Sequence, residues 1–387
     1  MTLPELIDNE SLRQQQFPVT DRRTYLAHAA VSPLPRAAVV AIEEYLAQAS
    51  RGGQLEVFHR QAENGARALL ADLLHADPGE IAFAPSTSAA LSLLAQGLSF
   101  RSGDNVVAVD SDFPSNIYPW IALRTRGVEV RLLRGGPAGC VGVEEIAAAI
   151  DQKTRLVTLS SAHYVTGHSP PVDEIGRLLR ARGILFCVDG IQTLGASTLN
   201  TSNVDFVVAG AHKWLLGPQG IAVLYVSRRR LDELSPALLG WKSYEAEDYA
   251  LTDQLRRSAS RYEPGTLNAL GIVGLHASLR LLKALDFTSV ASRVQELRER
   301  LRQGLRRLDY VVVGGETNGG IRPWTGIVSF KGRGSRSDMR ALFTRLGLAN
   351  VVVSLRTDPA GDACIRAAPH CYNSEDEIDR LLDVVKS

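Results

Sequence analysis

Residues 204–214 read VDFVVAGAHKW, so one lysine, Lys213, follows directly after a run of β-branched and apolar residues. The sequence GPQG at residues 217–220 then predicts a sharp turn. In an α/β fold, a strand that ends in this way brings a side chain to the crevice above the sheet, where ligands bind. An amine there can form a Schiff base when its surroundings keep part of it neutral. We therefore predict that Lys213 is a catalytic lysine; the alternative is an ordinary solvated surface lysine.

The composition limits the classes of protein to which the chain can belong. With 387 residues, of which 45% are hydrophobic, it can bury a large core and is expected to form more than one domain. The net charge of +1 offers no basic surface for nucleic acid. The sequence contains no run of about 18 apolar residues, so it predicts no membrane span. We expect a cytoplasmic protein that binds neither nucleic acid nor membrane.

The cysteines predict neither a disulfide framework nor a zinc site. They show no CxxC spacing, and reduced thiols are expected. His163 and His168 have no acidic partner at the spacing of metal ligands, so no metal site is expected either. The four cysteines are Cys140, Cys187, Cys364 and Cys371.

Apolar runs of strand length alternate with helical patterns up to about residue 264. This alternation predicts an α/β fold with a large, mostly parallel sheet covered by helices. Beyond it, two long helical patterns and several short strands predict a smaller α+β domain. We assign residues 15–264 to the large domain, and residues 1–14 and 265–387 to the small one. The strand patterns lie at 81–83, 105–109, 155–159, 184–188, 204–209, 221–226, 311–313, 327–330, 351–354 and 364–367, and the later helical patterns lie at 267–285, 289–308 and 374–385.

Two further polar groups fall at predicted strand ends. Ser86, Thr87 and Ser88 open a helix directly after a strand, which makes an anion site of free backbone N–H groups and hydroxyls; the alternative is an ordinary helix N-cap. Asp189 ends the strand at 184–188 and could hold a ring nitrogen protonated, although such a carboxylate often serves only as a loop acceptor. A phosphate cradle, an aspartate and a lysine together match the requirements of pyridoxal 5′-phosphate.

At these residues the chain resembles the aminotransferase class V family of fold-type I pyridoxal-phosphate enzymes. The resemblance is to the branch that contains cysteine desulfurases, selenocysteine lyases and isopenicillin-N epimerase-like proteins. It covers nearly the whole chain and implies the pyridoxal-phosphate-dependent transferase-like fold. The matching segments are residues 25–33, 86–88, 112–120, 188–192, 211–214, 261–268 and 365–373.

The resemblance assigns a role to each of the cofactor-binding positions. It implies that Lys213 forms the Schiff base, that Asp189 partners the pyridine nitrogen and that Gln192 contacts the phenolic oxygen. Phe113 would stack on the cofactor, where an apolar ring packs but cannot act as an acid or base. The phosphate would be bound by Ser86, Thr87, Ser88 and His212 and, across a homodimer interface with shared active sites, by Thr266.

The resemblance also implies where the substrate binds. Arg366 matches the family's carboxylate-binding arginine, whose planar fork can hold an α-carboxylate by two parallel hydrogen bonds; the alternative is an arginine in a structural ion pair. His28 and Tyr164 lie in segments that approach the cofactor, and we predict that both contact the substrate. The alternative for His28 is a hydrogen-bonded loop residue.

Three departures from the family pattern bear on the reaction. Gly210 stands where many relatives have a phosphate-binding serine, and Tyr164 stands where desulfurases usually have an asparagine. A desulfurase also needs a mobile cysteine upstream of Arg366, and residues 350–355 contain none. Cys364 lies two residues before Arg366 on a predicted strand, so it shares a face with the arginine. It could serve as a thiol, but a strand cysteine is more often a small buried hydrophobe.

We therefore predict a pyridoxal-phosphate enzyme that acts on a small α-amino acid through Lys213 and a carbanion at Cα, as a lyase or an aminotransferase. Desulfurase, selenocysteine lyase or epimerase activity is the alternative. A non-catalytic scaffold of the same fold is a more remote one. A nicotinamide-dependent oxidoreductase is not favoured, because no GxGxxG turn follows the first strands.

Overall fold

The computed structural model describes residues 1–54, 60–245, 250–315, 322–323, 325–333 and 338–387. Its helices are α1 (Leu3–Asp8), α2 (Glu10–Gln16), α3 (Arg36–Gly52), α4 (Arg60–Leu74), α5 (Thr87–Gly97), α6 (Tyr118–Ile121), α7 (Val143–Ala149), α8 (Val172–Ala181), α9 (Ala269–Ala284), α10 (Phe287–Arg307), α11 (Met339–Leu348) and α12 (Glu375–Lys386). Its strands are β1 (Thr24–Tyr25), β2 (Ile81–Ala84), β3 (Asn105–Val109), β4 (Glu129–Leu133), β5 (Thr154–Ser160), β6 (His168–Ser169), β7 (Leu185–Asp189), β8 (Phe206–Gly210), β9 (Ala222–Val226), β10 (Val311–Val312), β11 (Arg322–Pro323), β12 (Val328–Lys331), β13 (Val351–Val352), β14 (Ser354–Thr357) and β15 (Ala363–Ala367).

A seven-stranded sheet in the order β2-β9-β8-β7-β5-β3-β4 forms the centre of the fold. Every strand in it runs in the same direction except β9, which pairs antiparallel with both β8 and β2. The predicted α/β fold with a mostly parallel sheet is therefore confirmed. Because the carboxyl ends of parallel strands meet at one edge, the residues that follow β5, β7 and β8 come together there.

Both faces of this sheet are buried, which explains why its strands are apolar runs without alternation. On β8, Val207 belongs to the core with α4 and α9. Its neighbours Phe206 and Val208 point to the opposite face, and they pack in the core with α5. The sequence pattern of β8 thus follows from helices on both sides of the sheet.

A smaller antiparallel sheet, in the order β10-β12-β15-β14, carries the C-terminal part of the chain. Its core packs against α10, α11 and α12 and includes Leu26 from the N-terminal segment. That segment reaches it because β1 pairs in parallel with β13. The predicted strand at 351–354 is two strands, since β13 pairs with β1 while β14 pairs with β15.

The domain boundary predicted after residue 264 stays a prediction. Helix α9, which follows it, packs against α3 and α4. Its side chains Ile272 and Leu275 share the core of the large sheet. No helix in the described part of the chain is long and apolar enough to cross a membrane.

Candidate active site

Lys213 lies just beyond the end of β8, on the segment that leads into the GPQG turn. The turn is closed by backbone hydrogen bonds from Gly217 to Ala211 and from Ala211 to Ile221. Burial lowers the pKa of the Lys213 ammonium, while the carboxylate of Asp189 opposes that shift. Arg366 and Arg356 lower the pKa further. The amine is therefore closer to its neutral, nucleophilic form than a surface lysine would be.

Asp189 is the last residue of β7, the strand next to β8 in the sheet. It is fully buried, and one carboxyl oxygen, Oδ1, accepts a hydrogen bond of 3.0 Å from the N–H of Ile191. Burial raises the pKa of this carboxyl, and the buried carboxyl of Asp112 raises it further, while Lys213 lowers it. A cationic partner would thus stabilise its ionised form, which is what a protonated ring nitrogen supplies.

The N-terminus of α5 provides the predicted anion site. Ser86 caps the helix: its hydroxyl accepts a hydrogen bond of 3.1 Å from Ala89 N–H, so the N-cap alternative holds for this residue. Ser88 shares a hydrogen bond of 2.7 Å with the hydroxyl of Ser115. The Thr87 hydroxyl is buried and has no hydrogen-bond partner among the described residues. Leaving a buried hydroxyl unpaired is costly, so this arrangement fits an anion bound at the helix N-terminus.

Arg366 on β15 is 2% exposed, and its guanidinium is only partly paired. Nη1 donates to the carbonyl oxygen of Tyr164. Nε and Nη2 are buried and have no partner within the described ranges. These two atoms carry the N–H groups along one edge of the guanidinium, the edge that binds a carboxylate by two parallel hydrogen bonds. Burial lowers the pKa of Arg366, but the group stays protonated because arginine is effectively always charged.

Two aromatic residues lie next to the lysine and the arginine: the Phe113 ring is near Lys213, and the Tyr164 carbonyl contacts Arg366. Phe113 and Tyr164 pack edge to face, with ring centroids 5.4 Å apart. The Nζ atom of Lys213 lies 5.8 Å from the centroid of the Phe113 ring. Phe113 is 45% exposed, so part of the residue is accessible to a ligand. The structure thus places Phe113 and Tyr164 near Lys213 and Arg366, and their contacts with the cofactor and the substrate stay predictions.

Gln192 and His212 complete the predicted cofactor surroundings. The Gln192 side chain is buried and donates through Nε2 to the carbonyl of Ala29 at 3.1 Å, which leaves one amide hydrogen for a ligand oxygen. Burial and the charge of Lys213 lower the pKa of His212. A Cβ added at Gly210 would lie 2.9 Å from Cε1 of His212. The imidazole therefore crowds the place where relatives have a serine.

The structure favours the alternative for His28, a hydrogen-bonded residue, and its contact with the substrate stays a prediction. The side chain is completely buried, and both ring nitrogens are in use. Nδ1 lies 2.7 Å from the carbonyl of Ala368 and Nε2 lies 2.7 Å from the hydroxyl of Tyr372. Both ring nitrogens therefore have partners within the chain.

Thr266 lies apart from Lys213 in a single chain. It is exposed and lines a cavity of about 630 Å³ together with Phe83, Leu93, Leu238 and Ile272. Its predicted contact with the phosphate of a partner subunit requires the partner and stays a prediction.

Two charged residues near the site were given no role by the sequence, although one of them, Asp112, lies in the matching segment 112–120. Arg356 on β14 lowers the pKa of both Lys213 and Arg366. Asp112 accepts hydrogen bonds from Asn116 and from Ser160 N–H, and burial raises its pKa. Arg356 pairs with Cys364 while Ser354 pairs with Arg366, so Arg356 and Arg366 lie on one face of the small sheet; the sequence alone does not show this pairing. No group of three His, Cys, Asp or Glu side chains in the described part could hold a metal ion.

The residues at this edge of the sheet fit pyridoxal phosphate as a group. An unpaired threonine hydroxyl at a helix N-terminus, a buried aspartate and a lysine of lowered pKa are what the phosphate, ring nitrogen and aldehyde of that cofactor need. Residues 24–381 match the sequence profile of aminotransferase class V. The chain belongs to the aminotransferase class V family. Its members are pyridoxal-phosphate enzymes, so the predicted family, cofactor and enzyme class are confirmed.

Relatives in this family support the same assignment. A probable cysteine desulfurase of Methanothermobacter thermautotrophicus is 30% identical over 92% of this chain and 87% of its own. The apo structure of the cysteine desulfurase of Thermococcus onnurineus has a TM-score of 0.86 at 26% identity, covering 100% of this chain and 98% of that one. The cystine C–S lyase C-DES, solved with its product cysteine persulfide, has a TM-score of 0.86 at 26% identity over 96% of this chain and 99% of that one.

Proposed function

We propose that this member of the family is a β-eliminating lyase that acts on a small α-amino acid with a sulfur leaving group on Cβ. The relatives named above are cysteine desulfurases and a cystine C–S lyase, so they act at the sulfur of cysteine or cystine. The observation that separates the two activities here is the state of the thiols. All four cysteines are buried, and none can serve as a mobile persulfide acceptor.

Cys364 is the thiol nearest to the predicted carboxylate site, and it does not favour a desulfurase. Burial raises its pKa to about 11, so the thiolate that would attack sulfur is scarce at neutral pH. It packs with Val165 and Val313. The Phe113 ring, which lies near the Lys213 amine, can neither donate nor accept a proton, so it cannot act as an acid or base in the reaction.

The proposed reaction assigns one task to each group. Arg366 binds the substrate carboxylate through Nε and Nη2, and the Lys213 amine removes the proton from Cα. When bound, pyridoxal phosphate supplies an electron sink for the negative charge left at Cα, with Asp189 opposite its ring nitrogen. The C–S bond then breaks, and the electron pair leaves with sulfur. For cystine and one water, the balanced products are pyruvate, ammonia and cysteine persulfide.

The proposal is tested by product analysis with purified holoenzyme and L-cystine or L-cysteine. We expect pyruvate and ammonia in equal amounts over many turnovers. Alanine together with a protein-bound persulfide would contradict the proposal in favour of a desulfurase. A 2-oxo acid that forms only as the cofactor is converted to its aminated form would contradict the proposal and indicate an aminotransferase. The Cys364→Ser variant is the matched control, and its pyruvate yield should equal that of the wild type.

We also propose that the enzyme is a homodimer in which Thr266 completes the partner's phosphate site. The cavity of about 630 Å³ that Thr266 lines is mostly apolar. Leu238, which also lines it, and the next residue, Leu239, both have exposed side chains. A second chain would cover this surface.

Mixing two inactive variants tests the shared site. A dimer of one Lys213→Ala chain and one Thr266→Ala chain contains one site with both defects and one intact site if the sites are shared. We therefore expect activity to return after subunits are exchanged by mild denaturation and refolding. If each site were built within one chain, every site in the mixture would keep a defect and no activity would return.

A further inference from the structure

Trp214, the residue after Lys213, is fully buried and is held at two points. Its indole Nε1 donates to Oε1 of Gln192 at 3.0 Å. Its carbonyl oxygen lies 3.0 Å from Nε2 of His370. The tryptophan therefore connects the lysine segment to the glutamine that the family resemblance places at the phenolic oxygen of the cofactor.

The indole determines which end of the Gln192 amide faces which partner. An indole nitrogen can only donate, so it must meet the amide oxygen and not the amide nitrogen. The nitrogen Nε2 is then on the other side, where it donates to the carbonyl of Ala29 at 3.1 Å. Because a carbonyl can only accept, both contacts require the same orientation. The remaining hydrogen of Nε2 is the group that Gln192 can offer to a ligand.

His370 fixes the other end of Trp214 in an equally defined way. The N–H of Cys371 donates to Nδ1 of His370 at 2.8 Å, so the ring proton must be on Nε2. Nε2 then donates to the carbonyl of Trp214. His370 follows β15, which carries Arg366, so the backbone next to Lys213 is tied to the strand of the predicted carboxylate site.

We propose that Trp214 is a positioning residue that locks the Gln192 amide with its N–H, and not its oxygen, toward the phenolic oxygen of bound pyridoxal phosphate. The proposal rests on the cofactor contact assigned to Gln192. A donated hydrogen bond stabilises negative charge on that oxygen and makes the neighbouring lysine–cofactor linkage less basic. Without the indole N–H the amide keeps only one of these two contacts, the one with Ala29, so its N–H is held less firmly toward the phenolic oxygen and this effect weakens.

The test is a pH titration of the visible absorption band of the holoenzyme, comparing wild type with Trp214→Phe. The phenylalanine keeps a buried ring but lacks the N–H. We expect the titration midpoint to rise by about one pKa unit. Trp120→Phe is the matched control, because among the described residues the indole of this fully buried tryptophan makes only a long contact of 3.5 Å, to Asn116. The titration midpoint of this variant should not change.

Two further proteins separate positioning from a general loss of packing. Benzothienylalanine at position 214 keeps the bicyclic shape and lacks the N–H, so it should reproduce the shift even if Trp214→Phe folds poorly. In a Gln192→Leu background, Trp214→Phe should cause no additional shift, because the amide through which it acts is gone.

An unchanged midpoint in coloured protein lacking the N–H would overturn the proposal, and so would a shift that persists in the Gln192→Leu background. These results would leave the proposed lyase reaction intact, since they concern only the orientation of one amide. A wild-type protein that binds no cofactor would instead remove the proposed function, and this inference with it.

Discussion

The surroundings of Arg366 indicate most directly what this residue binds. Its side chain is buried, yet the two adjacent donors Nε and Nη2 are unpaired in the described part of the chain. Replacement by lysine would keep the charge and lose the planar fork. We expect Arg366→Lys to raise the KM for amino-acid substrates about 10- to 100-fold, as expected for a lost charge-assisted hydrogen bond. Steady-state kinetics provide the measurement, and an unchanged KM would contradict the assignment.

Arg356 affects the pKa of Lys213 in a defined direction. Its positive charge contributes to the lowered pKa of Lys213. Arg356→Gln should therefore raise the pKa of Lys213, because a repulsive charge is removed. The pKa of Lys213 can be measured in the apoenzyme from the pH dependence of amine labelling, with the labelled Lys213 peptide quantified by mass spectrometry. Arg356→Lys is the control and should leave this pKa nearly unchanged; a downward shift in Arg356→Gln would refute the electrostatic account.

For single residues, the sequence predicted which side chains have a chemical role better than it predicted their hydrogen-bond partners. Lys213, Asp189 and Arg366 could be recognised because strand ends and motif positions identify them. For His28 the sequence could not separate a substrate contact from a hydrogen-bonded loop residue, since only packing shows that Ala368 and Tyr372 occupy both of its nitrogens. Arg356 was missed because a charged residue on a short strand looks like any exposed residue.

Helix α5 allows two roles of neighbouring hydroxyls to be separated. Ser86 caps the helix, while the Thr87 hydroxyl has no partner among the described residues. We expect Ser86→Ala to lower the free energy of unfolding of the apoprotein by about 1 kcal/mol, the usual contribution of an N-cap. Thr87→Val should instead weaken cofactor binding roughly 10-fold with little loss of apoprotein stability.

Denaturant unfolding of the two apoproteins and titration with pyridoxal phosphate measure these effects. The opposite result, a destabilised Thr87→Val apoprotein with normal cofactor affinity, would mean that Thr87 serves the helix and not the anion.

The elements that were predicted well are those buried on both faces. Strands β5, β7 and β8 read as continuous apolar runs because helices cover both sides of the sheet. The edge strand β4 was missed, since its sequence EVRLL carries two charged residues, of which Glu129 is exposed and Arg131 is half-buried and ion-paired. The division between β13 and β14 also depends on pairing with different partners, which local sequence cannot show.

The buried histidines make the whole molecule sensitive to acid. His28 and His370 lie at the junction of the N-terminal segment, Trp214 and the segment after β15, with ring centroids 5.4 Å apart. Burial lowers the pKa of His370 from its ordinary value of 6.5 to about 4 and lowers that of His28 in the same direction. The unfolded chain therefore binds more protons than the folded one between pH 6.5 and about 4.

We expect the apoprotein to lose stability as the pH falls through this window, by up to roughly 3 kcal/mol from His370 alone. Denaturant midpoints measured at several pH values test this expectation. His75→Asn is the control, because the His75 side chain is exposed. A midpoint that stays constant between pH 7 and pH 4 would contradict the neutral, buried state of these rings.

The proposed site and reaction require Lys213 to be the residue that holds the cofactor. Reduction of the holoenzyme with borohydride, followed by proteolysis and mass spectrometry, fixes the cofactor to whichever amine carries it. We predict a single pyridoxyl adduct, on the peptide that contains Lys213. An adduct on any other lysine, with Lys213 unmodified, would contradict the assignment on which the site, the proposed reaction and the role of Trp214 depend.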